Sequence, residues 1–169
     1  MMKRLAVMAV AGVLAFGLAG CSSKGSHKNG ANMKAHANGV GGAEGFEGDP
    51  WGRSEEELLS TRTYYFGFDK FDVAEKDVPA VNAQARFLLK NPNARIRVEG
   101  HTDERGSREY NVALGERRAN AVKDILSARG VPAEQVAVVS YGKEKPAELG
   151  HDEEAWRLNR RAIVVVEQE

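Results

Sequence analysis

From about residue 60 onward, the apolar residues switch repeatedly between the spacing of a strand and the spacing of a helix, and few architectures accept that order. The stretch "RTYYFGFD" alternates, placing Tyr64, Phe66 and Phe68 on one face of a strand. "AEKDVPAVNAQARFLLKNP" sets Val78, Val81, Ala85, Leu88 and Leu89 at helical spacing and stops at Pro92. "ARIRVEG" gives a second strand with Ile96 and Val98 inward. A long helix then runs from about Ser107 to Arg129, where Gly130 can cap it. "QVAVVSYG", "DEEAWRLN" and "RRAIVVVEQ" follow as strand, short helix and strand. The order predicts an α/β domain, an α+β sandwich of βαβαβ(αβ) form with its helices packed on one mixed sheet. With 169 residues, the chain has room for one such domain, over 61–169, and appendages.

The appendages lie at the N-terminus. Lys3 and Arg4 precede the apolar run "LAVMAVAGVLAFGLAG", too short and too abruptly ended for a good membrane span, which is the pattern of a secretory leader over residues 1–20. The leader ends in "LAGC", which resembles the lipobox of bacterial lipoproteins, where the cysteine becomes the acylated first residue. Ordinary leader cleavage beside an incidental thiol is the alternative. Cys21 is the only cysteine, so no intramolecular disulfide is available to it. Two or more acyl chains would hold Cys21 firmly at a membrane without a spanning helix. Ser22 stands where Asp would favour inner-membrane retention, which points to the outer membrane, with the domain facing the periplasm.

Residues 21–60 are rich in Gly, Ser, Asn, His and Lys and read as a flexible tether. About 40 such residues reach ~130 Å extended and average ~35 Å as a coil. His27 and His36, nine apart in this segment, read as solvated side chains and not as a metal site. Without the leader, 22 basic groups face 24 acidic ones, a net charge of −2 that does not favour nucleic acid.

The stretch "VEGHTDERGSREYNVALGERRANAV" carries the chemistry. At about 100° per residue, Leu114, Ala121, Val122 and Ile125 fall within about 60° of Arg118, so this arginine sits inside the apolar stripe. Arg117 points some 100° away, toward water. A guanidinium in an apolar surround demands an anion, because arginine cannot shed its proton. Asp103, in the turn before the helix, is the nearest candidate. Either the two form a buried tie, in which case Arg118→Ala strongly lowers the melting temperature, or they clamp a zwitterion and the melting temperature barely moves. In the clamp, Asp103 takes an ammonium and Arg118 a carboxylate.

Catalysis finds little support. His101, Asp103 and Glu104 match no metal signature, there is no G-x-S-x-G, and the only thiol is the anchor, so neither a metal nor a cofactor is expected. A wall hydrolase is the rival class. His101 reads as a strand-end residue that shapes the turn through hydrogen bonds, Gly100 and Gly106 as residues for turn geometry, and Tyr110 as packing.

That stretch, with "YYFGFDKFD" upstream and "VVSYGKEKP" and "LNRRAIVVV" downstream, resembles the OmpA-like peptidoglycan-binding domain family over about residues 62–167, and most closely its lipid-anchored branch. The resemblance implies non-covalent binding of the diaminopimelate in peptidoglycan stem peptides, with Asp103 on its ammonium and Arg118 on its carboxylate. It implies that Phe68, Asp69, Lys70 and Phe71 line the same pocket and that Asn111 and Leu114 shape its wall. It leaves open whether Asn159, Arg160 and Arg161 touch ligand or hold the last strand. It implies partners as well: the periplasmic β-propeller protein TolB, competing for an overlapping surface, and the other Tol proteins in envelope integrity and cell division.

Overall fold

The computed structural model describes residues 49–168. The leader, Cys21 and the tether as far as residue 48, with His27 and His36, lie outside the described residues. The first helix, α1 (Glu55–Ser60), falls within the stretch that composition gives to the tether. A capping box fixes its start: the Glu57 N–H donates to Ser54 Oγ and the Ser54 N–H to Glu57 Oε2. Leu58 is buried and joins the core. One buried leucine on a six-residue helix is too short a pattern for periodicity to detect.

Strand β1 (Thr63–Tyr65) is shorter than its alternation suggests. Tyr64 and Phe66 point into the core, but the chain turns at Gly67 and leaves Phe68 62% exposed, so the third aromatic leaves the inward face. Helix α2 (Val78–Lys90) starts with Pro79 in its first turn, where a missing N–H does no harm, and buries Val81, Ala85 and Leu88. Leu89, about 80° round from Val81, stays in solvent. Gln135 Nε2 donates to the carbonyls of Leu88, Asn91 and Ala94, which ties the end of α2 to the turn that follows it.

Strand β2 (Arg95–His101), helix α3 (Arg108–Ala128) and strand β3 (Val136–Gly142) form a parallel crossover, and helix α4 (Glu153–Asn159) leads into β4 (Arg161–Gln168). The sheet order is β1-β4-β2-β3, with β4 antiparallel to both β1 and β2 and β2 parallel to β3, a mixed sheet as the sequence predicts. The core lies between the sheet and α2 and α3, with Ile96, Val98, Val122, Leu126, Ala162 and Val164 fully or nearly buried. Helix α3 presses hardest on β2 at one point: a Cβ on Gly100 would lie 1.8 Å from the Gly115 carbonyl oxygen. Gly100 therefore serves a helix–strand approach and not the turn, whereas Gly106, at φ +96, does serve the turn.

Candidate functional site

The turn after β1, the loop from β2 to α3 and the first half of α3 meet at one end of the sheet, around a cavity of about 220 Å³. The first wall is the Gly67–Lys70 turn, closed by the Lys70 N–H donating to the Gly67 carbonyl at 3.2 Å. Its third residue, Asp69, adopts φ 55, a left-handed conformation that Asp tolerates better than most residues. The Tyr110 hydroxyl of α3 donates to the Asp69 carboxylate and holds this turn in place. Tyr110 is 44% exposed and lines the cavity, so it is not the packing residue its type suggests.

Arg118 forms the floor. Its side chain is fully buried, as its place in the apolar stripe predicts, yet no ion pair joins it to Asp103 among the described residues. Nε donates to the Lys70 carbonyl at 2.8 Å, one terminal nitrogen to His101 at 2.8 Å and the other to Gly67 at 3.2 Å. Carbonyl dipoles thus supply much of the compensation that a lone buried cation needs. A guanidinium has five N–H groups, of which these carbonyls take three, and Arg118 is among the residues that line the cavity. Burial pulls the Arg118 pKa down to about 10, with Asp103 pushing back, so it keeps its charge at neutral pH.

Asp103 forms the opposite wall with its side chain 6% exposed. Burial raises its pKa, but hydrogen bonds from Arg105 outweigh that and hold the carboxyl below its ordinary range. Its partners are Arg105, at 2.6 Å, and Arg160, at 3.4 Å. Arg105 lies under cation–π contact, 4.3 Å from the Phe68 ring centroid and 4.0 Å from that of Trp156. Lys143 Nζ fastens the loop below by donating to the carbonyls of Glu104 and Gly106.

Of the residues singled out in the sequence, Phe68, Asp69, Asp103, Asn111, Leu114 and Arg118 line this cavity. Lys70 and Phe71 do not. Lys70 contributes only the carbonyl that Arg118 grips, and Phe71 turns into a neighbouring groove, where the Arg117 guanidinium sits 5.6 Å from its ring centroid. The reversal at Gly67–Lys70 aims successive side chains apart, which a linear motif does not reveal. Asn111 ties the wall together, its Nδ2 donating to the carbonyls of Arg105 and Ser107.

His101 does not shape the turn with its ring. It is 2% exposed, neither ring nitrogen has a hydrogen-bond partner among the described residues, and Glu99 Oε2 stands 3.7 Å away; the His101 carbonyl accepts from Arg118. The Asn159–Arg161 run holds structure. Asn159 Oδ1 accepts from the Ala147 and Glu148 N–H groups, Arg161 donates to the carbonyls of Asn159 and Lys145, and Arg160 joins Phe66, Asp103 and Glu153. Thr102 and Arg105 are cavity residues that the sequence did not flag, and Tyr110 is one that it read as packing. The available signal for Arg105 was its place two residues after Asp103, inside a charged turn.

A model of the OmpA family matches residues 65–165, which includes every wall of the cavity. The chain belongs to the OmpA family. Within it, a peptidoglycan-associated lipoprotein of Legionella pneumophila is 47% identical over 155 residues, 89% of this chain and 88% of the relative. Its namesake in Haemophilus influenzae is 46% identical over 165 residues, 97% of this chain and 99% of the relative. The crystal structure of the peptidoglycan-associated lipoprotein from Burkholderia pseudomallei aligns with a TM-score of 0.64 at 45% identity, covering 66% of this chain and 94% of that one. The C-terminal domain of Helicobacter pylori MotB, 21% identical with a TM-score of 0.58, shares the OmpA-family fold. Among the described residues no helix is long and apolar enough to cross a membrane.

Proposed function

We propose that this OmpA-family chain is a non-enzymatic lipoprotein that binds peptidoglycan, with the cavity between Asp103 and Arg118 receiving the diaminopimelate of stem peptides. An uncross-linked diaminopimelate ends in an amine and a carboxylate on one carbon. The observation that carries the reading is a single small cavity with a buried carboxylate on one wall and a buried guanidinium with unspent N–H groups on the other. Asp103 takes the ammonium, Arg118 the carboxylate, and Phe68 and Leu114 flank the carbon between. Each charge-assisted bond contributes about 1.5–3 kcal/mol. The names of the relatives, peptidoglycan-associated lipoproteins, support the same reading.

Acylation of Cys21 would fix the chain to the outer membrane with the domain in the periplasm, and the tether would let it reach the wall. TolB and the other Tol proteins are the protein partners of this reading, TolB competing at the same face. The test is sedimentation of the full chain with purified sacculi. Asp103→Asn should leave the protein in the supernatant, no muropeptides should be released, and added TolB should lower the pelleted fraction. Full pelleting of Asp103→Asn would sink the diaminopimelate site, and steady muropeptide release would favour a wall hydrolase.

A further inference from the structure

The carboxylate that is meant to receive an ammonium is already full. Asp103 Oδ1 accepts from the Arg105 N–H at 3.1 Å and from Arg105 Nε at 3.3 Å, and Oδ2 accepts from Arg105 Nη2 at 2.6 Å and from Arg160 at 3.4 Å. An ionised carboxylate offers about four lone-pair sites, so every one is taken. A ligand ammonium can enter only by displacing a donor. Arg160 is the poor candidate: its side chain is 6% exposed and is also held by the Phe66 carbonyl at 3.1 Å and by Glu153 at 2.5 Å. Arg105 is the better one, because its side chain is 33% exposed and lines the cavity, and its other carboxylate partner, Glu153, stands farther off at 3.9 Å.

We propose that Arg105 is a latch: its guanidinium occupies the ammonium subsite of the cavity, and a ligand cation binds by exchanging with it. This rests on the reading that Asp103 receives the ligand ammonium. The aromatic faces of Phe68 and Trp156 explain how the exchange stays inexpensive. They flank the guanidinium on both the turn after β1 and α4, so Arg105 can leave the carboxylate and still lie against an aromatic ring. Trp156 is itself held, its Nε1 donating to Glu104 at 2.9 Å. The latch also sets specificity. A neutral or purely anionic ligand offers nothing to replace the guanidinium at Asp103 and leaves the cavity shut, since an unpaired buried carboxylate is costly.

The experiment is calorimetric titration of the full chain with meso-diaminopimelate. Arg105→Gln removes the competing charge and should bind roughly fivefold tighter, the equivalent of about 1 kcal/mol for a partly exposed ion pair. Asp103→Asn should lose binding in both backgrounds. Equal or weaker binding by Arg105→Gln, with Asp103→Asn still dead, overturns the latch and leaves the site standing. Binding by Asp103→Asn at parental affinity overturns the site reading and the latch with it. A second readout needs no variant: the Arg105 Nε–H resonance should shift and exchange faster with water as diaminopimelate saturates the chain, and a resonance unmoved at saturation overturns the latch.

Discussion

Arg118 carries two duties that the sequence sets against each other as alternatives. It ties three backbone carbonyls from the turn after β1 and the end of β2, and it lines the cavity. Arg118→Ala should therefore destabilise the fold by about 3 kcal/mol, from orphaned carbonyls and a void, whether or not a ligand binds there. A large drop in melting temperature thus cannot separate a tie from a clamp. Arg118→Lys should fail as well, because a point ammonium cannot span donors that a planar fork spans. Asp103→Asn is the cleaner probe: Arg160 keeps Glu153 and the Phe66 carbonyl, so chemical unfolding should shift by only about 1–2 kcal/mol while sacculus binding disappears. The fit at Gly100 is tighter than at either charge. Gly100→Ala drives a methyl into the Gly115 carbonyl and should cost about 3 kcal/mol or more, read by the same unfolding experiment.

At the level of elements, most periodic segments are legible, whereas the shortest α-helix is not and the shortest strand is legible only in part. The long helix, the three strands after residue 94 and the short helix before the last strand appear where the spacing puts them. Helix α1 does not show in the pattern, since its stability comes from a capping box and one buried side chain. Ser54→Ala should lower stability by about 1 kcal/mol, and Leu58→Ala by about 3 kcal/mol, both measured by urea unfolding. Strand β1 is shorter than the alternation because Phe68 continues the pattern in sequence but not in space. Gly67 begins a turn there, and the exposed ring that results becomes the lip of the cavity and a face for Arg105.

Over the whole molecule, the buried histidine sets a pH dependence. Burial, with Arg161 adding to it, pushes His101 from 6.5 down to about 4. Between those values the unfolded chain binds a proton that the folded chain refuses, so stability is intact above about pH 6.5 and is lost as pH falls toward 4. The loss attributable to His101 is on the order of 3 kcal/mol, and His101→Gln should flatten unfolding curves across that window. His151, raised by its hydrogen bond to Glu104, acts in the opposite sense, but it is exposed and its pair is screened. What the sequence determined by itself is the class of fold, the buried place of Arg118 and the presence of an acid in the turn beside it. Periodicity and the impossibility of deprotonating arginine are local facts, readable from one segment at a time. Which partner each charge takes was decided only by the tertiary structure. Asp103 meets Arg105 and Arg160, and Arg118 meets carbonyls from residues 67, 70 and 101, because strand order and one reversed turn bring distant segments within hydrogen-bond reach.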